Sequence, residues 1–324
     1  MPPDPRSGVS PALRWRLWLQ VLSVATLLAL VVVLAEKIQW RDFGAALARA
    51  SWPLVIAAAA LNFVNLACKA ARWRTLLARA GRITFVRLYY YLIVSYAASA
   101  LLPARAGEAL RVYLLRRRDG IAVVDSVGAI VVEKLFEVLG LLVIVLPLPL
   151  LMPLPHWVRV SIWAIAAGGL SGLLVAVVLA RSVGRAEGSR LQTLARGLQS
   201  LRSPSHIALA VVYSVFAYAI DAAMVWLVLR AMAIHVPWAT PALVLLGGNL
   251  AIAVPSTPGQ LGALEAGVIA GLSIVGVSVS DALAFGLVYH FMQLLPVVLV
   301  GATGLHLVSE ARADDAAPVA EVSS

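Results

Sequence analysis

The chain has 324 residues, 61% of them hydrophobic and only 13% charged, with a mean hydropathy of +0.91. Ordinary soluble domains carry about 25% charged residues, so this composition excludes a soluble globular fold and, away from the ends, a disordered one; the count that matters is of membrane spans. A single cysteine, Cys68, excludes an internal disulfide and a Cys-rich metal or redox centre, and the net charge of +10 reads as positive-inside topology against anionic lipid rather than a nucleic-acid footprint.

Residues 1–16 form a basic, Pro-rich tail. Leu17–Ala35 is free of charge and long enough to cross about 30 Å of hydrocarbon, so it is expected to be a retained first span rather than a cleaved leader. Trp52–Leu76 is the second span, with Asn62, Asn65, Cys68 and Lys69 making its inner end polar. A basic stretch through Arg72, Arg74, Arg79, Arg82 and Arg87 follows, then a short apolar segment, Leu88–Leu102, ending in LLPARAGEALRVYLLRRR. Ile121–Leu154 is apolar but interrupted by Asp125, Glu133, Lys134 and Glu137. Further spans are Val160–Ala180, Ile207–Leu229 with Asp221, and Ala282–Ser309 with His290. Pro241–Ser280 carries one charge, Glu265, and breaks near its middle at VPSTPGQLG. Residues 310–324 are a polar tail, expected to be disordered.

Of the 26 Lys and Arg, 20 fall in segments 1–16, 69–118, 181–202 and 310–324, which are therefore assigned to the cytoplasm together with both termini. The segment 88–102 then has basic, cytoplasmic flanks on both sides. Too short to cross comfortably, and ending in Pro and Gly, it reads as a re-entrant hairpin, tolerated at depth only when protein or a polar cavity surrounds it. The break in 241–280 mirrors it from the other face. The expected fold is all-α: a polytopic membrane protein with about six full spans and two re-entrant broken-helix hairpins, forming one domain over 17–309 with an inverted repeat. Eight full, tilted spans are the alternative.

Pro103 and Gly107 break the helix at 103–111, and a restarted helix offers free N–H groups to an anion. Arg105 and Arg111 add planar two-pronged donors, and Glu108, one turn before Arg111, is expected to orient it. A basic cytoplasmic loop is the other reading of the same residues. Glu133 and Glu137 share one helix face, while Lys134, about 100° away, belongs to a different contact. Left in lipid, each of these charges, and Asp221, would cost about 2.5–3.5 kcal/mol, so all should face the bundle interior. Pro258, Gly259, Gly262 and Glu265 repeat the broken-helix chemistry. His290 is either a packing histidine or a proton-relay or head-group contact. No phosphate-binding loop, dinucleotide fingerprint, nucleophile elbow or metal-ligand spacing is present, so no cofactor, no ATP hydrolysis and no enzyme activity are expected.

With these residues in view the chain resembles the lysylphosphatidylglycerol synthase transmembrane region family of flippase-like integral membrane proteins. The resemblance spans residues 13–308 and rests on ARWRTLLARAGRITF (71–85), LLPARAGEALRVYLLRRRDG (101–120), VVEKLFEVLG (131–140), PSTPGQLGALEAG (255–267) and YHFMQLLP (289–296). It implies head-group or cavity roles for Pro103, Arg105, Gly107, Glu108 and Arg111, for the acid–base pair Glu133 and Lys134, and for Pro258, Gly259, Gly262 and Glu265. Two positions depart from the family pattern. Lys134 stands where arginine is usual, and His290 where a late-span arginine is common. The chain ends shortly after its last span, so the soluble aminoacyl-transferase domain of bifunctional members is not expected.

The implied function is a flippase, transporter or lipid-binding protein of the cell (inner) membrane. It would handle phosphate-bearing lipids, whether phospholipid, aminoacylated phospholipid or polyprenyl phosphate, through a polar intramembrane cavity. Two alternatives stay open: a regulatory subunit of a lipid- or envelope-synthesis machine, and a lipid-modifying transferase using Glu108, Glu133 or His290. The expected partners are anionic lipids, a second copy of the chain or a lipid-synthesis enzyme, and not nucleic acid.

Overall fold

The structure, a computed structural model, describes residues 40–101, 106–182, 197–253 and 258–303. The expected first span, both tails, Pro103 and Arg105, and most of the 181–202 loop lie outside the described residues. Within them every regular element is helical. In chain order these are α1 (Trp40–Ala48), α2 (Trp52–Leu77), α3 (Phe85–Leu101), α4 (Ala106–Asp119), α5 (Val123–Val145) and the single turn α6 (Leu148–Leu151). They are followed by α7 (His156–Ser182), α8 (Pro204–Ala231), α9 (Thr240–Ile252), α10 (Ala263–Ser273) and α11 (Val279–Ala302). Short 3-10 turns precede α8 (Gln199–Arg202) and α10 (Pro258–Gln260).

Helices α2, α7, α8 and α11 are long and apolar enough to cross a membrane. Helix α5 has 23 residues, a sufficient length, but carries the four expected charges. The protein is thus an all-helical, polytopic membrane protein. Prolines open several helices, at Pro53, Pro204 and Pro241, where the missing N–H would have had no partner. The expected continuous run to Leu154 is instead cut at Pro147, after which only one helical turn follows.

Both predicted breaks are present. Helices α3 and α4 form one hairpin, α9 and α10 the other. Each arm is shorter than the long apolar helices, and each pair is packed tightly enough to exclude side chains. In the first, the Ser95 hydroxyl donates to the Gly107 carbonyl at 2.7 Å, and a methyl group at Gly107 would run into the Ser95 carbonyl. In the second, Gly247 and Gly267 bring the two backbones into contact, as small residues do where lipid supplies no hydrophobic drive between helices.

The two halves repeat one order of elements: a long helix, a hairpin, a long helix. Ser51 N–H donates to the Ala231 carbonyl at 2.7 Å, Asn65 pairs with the Ala217 carbonyl, and Arg72 with Ser214. As α2 ascends in number its partners in α8 descend, so the lead helices of the two halves run antiparallel. The hairpin tips meet, with Gly259 close to the Ala100 carbonyl. Large apolar side chains on the outer faces, such as Ile56, Trp163, Leu174, Phe216 and Leu299, are exposed, as acyl-chain-facing residues must be.

Candidate functional site

Where the hairpin tips approach α2, α5, α8 and α11 the bundle encloses a cavity of about 650 Å³. Its lateral walls are apolar, but its lining includes Lys69, Arg72, Arg111 and Lys134 on one hand and Glu108, Glu137 and Asp221 on the other. Charges at this depth survive only with partners, and most of them have one.

Glu133 is the hub. It is 1% exposed and lies just behind the wall. Arg72 Nη2 donates to its Oε1 at 3.2 Å, Arg111 Nη2 to its Oε2 at 2.9 Å, and the Trp73 indole N–H also to Oε2. The Arg111 guanidinium lies 3.9 Å above the Trp73 ring, a stacked contact that lysine could not reproduce. Arg72 reaches further, to Glu137 at 3.1 Å and, through Nη1, to the Ser214 hydroxyl at 2.9 Å. Lys134 pairs on its other side with Glu137 at 3.1 Å and Glu108 at 3.4 Å, and it is the most open member of the network.

Three expectations are corrected here. Glu108 does not orient Arg111; it pairs with Lys134, while Arg111 is held by Glu133 and Trp73. The i, i+3 spacing set the face, but a competing carboxylate from α5 took the arginine. Arg72 is not part of a cytoplasmic basic stretch, since α2 continues to Leu77 and buries it completely. Glu133 and Glu137 share a helix face as expected, yet only Glu137 reaches the cavity wall.

Lys69 and Asp221 form a second group. Neither makes an ion pair among the described residues; Lys69 sits 5.9 Å over the Tyr96 ring, and Asp221 neighbours Asn65. Both line the cavity. The Asn65 amide nitrogen is used by the Ala217 carbonyl, and its Oδ1 is buried without a donor. Asn62 donates to the Gln293 carbonyl at 2.9 Å.

The third group joins the second hairpin to α11. Gly262, at φ 83°, ends the tip turn in a conformation that favours glycine, and its N–H donates to Glu265 Oε2 at 2.6 Å. The other oxygen, Oε1, lies 2.7 Å from His290 Nδ1. Pro258 opens the 3-10 turn; Gly259 and Gln260 follow it on the cavity wall. Gln260 has φ 62°, an uncommon strain for a residue with a side chain, and such strain collects at ligand-facing positions.

Of the residues singled out from sequence, Glu108, Arg111, Lys134, Glu137, Asp221, Gly259 and His290 line the cavity. Glu133 and Glu265 support it from behind. Gly107 and Gly262 shape the hairpins, and Arg105 is outside the described residues. Arg72, Trp73 and Tyr96 were missed. A signal for Arg72 existed: Asn62, Asn65, Lys69 and Arg72 fall at i, i+3, i+7 and i+10, one polar stripe along an otherwise apolar helix.

Two broken-helix hairpins that meet beside a charged cavity, in an all-helical chain with long apolar helices, define a class: polytopic membrane proteins with a polar internal cavity. Within it, residues 17–301 match the model of the family described as "Lysylphosphatidylglycerol synthase TM region", and the chain belongs to that family. It is also similar to the UPF0104 membrane protein MJ1078 of Methanocaldococcus jannaschii, with 23% identity over 219 residues, covering 65% of this chain and 93% of that protein.

Proposed function

We propose that the protein moves phosphate-bearing lipids between the leaflets of the cell membrane through this cavity, without hydrolysing ATP. The observation that carries this reading is the cavity itself: hairpin tips from both halves close over a space lined by Lys69, Arg111 and Lys134. Its volume suits a head group and not acyl chains, which would stay in the bilayer. Lys69 makes no close ion pair among the described residues, being balanced by Asp221 only at longer range, and Lys134 is the open end of its network, so these two cations are the ones offered to a phosphate. Arg72 and Arg111, locked on Glu133 and Glu137, set the field around them. Family membership supports a lipid-related role. Alternation would come from the tips parting on one face and closing on the other, with α2 and α8 as the fixed spine.

The test is lipid translocation in reconstituted vesicles. A fluorescent short-chain phospholipid is placed in both leaflets, and the outer pool is bleached by a membrane-impermeant reductant. The protein is expected to make the inner pool bleachable, and Lys69→Gln to abolish this at equal reconstitution. Bleaching that stops at the outer leaflet, as in protein-free vesicles, would refute the proposal.

A further inference from the structure

His290 is held in one orientation by an anchored carboxylate. Glu265 is 3% exposed and His290 5%. One Glu265 oxygen is fixed by the Gly262 N–H and the other by His290 Nδ1. With a carboxylate as acceptor, Nδ1 must carry a proton, which fixes the tautomer of the neutral ring. The second nitrogen, Nε2, has no hydrogen-bond partner among the described residues and is not sealed within the protein; His290 is part of the cavity wall.

In the neutral ring, Nε2 therefore presents a lone pair to the cavity. A phosphate oxygen also offers only lone pairs, and the two cannot bond. Once Nε2 gains a proton it becomes a charged donor aimed at the same space, and its bond to phosphate is of the strong, charge-assisted kind. The Glu265 carboxylate lies against the ring and balances the added charge. The other ionisable groups lining the cavity are Asp221 and Tyr218 from α8, Lys69 and Arg72 from α2, Tyr96 from α3, Glu108 and Arg111 from α4, Lys134 and Glu137 from α5, and Tyr289 from α11 itself. Arg72, Arg111 and Lys134 are ion-paired with Glu133, Glu137 and Glu108, Lys69 and Asp221 offset one another, and the tyrosines are neutral donors, so His290, backed by Glu265, is the imidazole placed to exchange a proton as the ligand arrives.

We infer that His290 is a proton-linked contact for the lipid phosphate: binding the head group takes up one proton on Nε2, and releasing the head group returns it. This rests on the phosphate reading of the cavity and adds to it the coupling species. A carrier of this kind moves one proton with each lipid, so a pH difference across the membrane biases the direction of transport. The sign follows from linkage. The bound state holds one more proton than the free state, so affinity rises as pH falls and levels off once the free imidazole is already protonated.

The experiment is calorimetric titration of the protein in nanodiscs with dihexanoyl-phosphatidylglycerol, a phosphodiester that does not itself titrate over the range used. It is run between about pH 5 and pH 8, where imidazoles change charge, in buffers of differing ionisation enthalpy. Wild type is expected to lose about tenfold in affinity per pH unit on the alkaline limb and to take up close to one proton there. His290→Arg supplies a permanent donor and is expected to bind with no pH slope and no proton uptake. His290→Gln is expected to bind weakly, again without slope. Either variant alone suffices if the other does not fold. Wild-type affinity that is flat with pH, or a slope that survives in a variant, overturns the inference while leaving the phosphate site intact. Failure of the lipid to bind at any pH overturns the phosphate reading, and this inference with it.

Discussion

Replacing Glu133 by glutamine keeps the shape of the side chain and removes one charge from the centre of the network. Three donors converge on that carboxylate, from Arg72, Arg111 and Trp73. A glutamine accepts with one oxygen only and turns its NH₂ group toward the remaining donors. Arg72 keeps Glu137 at 3.1 Å, but Arg111 loses its ion pair and retains only the Trp73 face. Removing one partner of a buried pair costs about 3–5 kcal/mol, and the surviving Arg72–Glu137 contact places this case near the lower end, about 3 kcal/mol. At about 2 °C per kcal/mol for a chain of this size, Glu133→Gln is expected to lower the melting temperature in detergent by about 6 °C. Glu137→Gln should cost much less, because Arg72 keeps Glu133 and Lys134 keeps Glu108. Adding Arg111→Met to Glu133→Gln should recover part of the loss, since it removes the stranded charge. A Glu133→Gln protein that melts with the wild type, or a Glu137→Gln protein that melts below it, would refute the assignment of Glu133 as the hub.

Gly107→Ala should destabilise by about 1–3 kcal/mol or prevent insertion of the first hairpin, because the new methyl group meets the Ser95 carbonyl; yield and melting temperature report it. Lys134→Gln should weaken phosphate-lipid binding about tenfold while leaving the melting temperature within about 2 °C, since its side chain is 43% exposed and its pairs are the outermost of the network. In a Cys68→Ser background, a cysteine at position 117 should react with impermeant thiol reagents only from the cytoplasmic side. Labelling from outside would mean that the first hairpin crosses the membrane completely.

The architecture was legible in sequence because membranes leave few options. A short apolar segment with basic flanks that ends in Pro and Gly, and a nearly uncharged 40-residue run broken by Pro and Gly at its middle, both read as hairpins, and α3–α4 and α9–α10 are those hairpins. The acids in α5 were legible by their cost. Their partners were not. Counting basic residues groups Arg72 with Arg74, Arg79 and Arg82, because it cannot tell a helix extension from a loop. Spacing along one helix pairs Glu108 with Arg111, whereas Lys134 reaches it from another. The link between Glu265 and His290 bridges 25 positions and two helices, and no local pattern encodes it. In each miss the sequence showed that a charge needed a partner, and only the packing of separate helices decided which.

Helix α7 contributes little to the cavity, and much of its surface faces outward. Gly169 packs on Val138 and Gly172 on Leu135, so α7 runs against α5, while Gly140 of α5 sits beside Ser214 and Tyr218 of α8. Its role is one of parity. A unit that enters and leaves by two long helices returns the chain to the face where it began, and a second such unit following directly would point the same way. One extra crossing reverses it. Any odd number of helices in that position would let the two hairpins oppose each other, and any even number would leave both on one face with no second tip to meet. A helix that adds little to the cavity wall is therefore one whose deletion or duplication the architecture cannot tolerate.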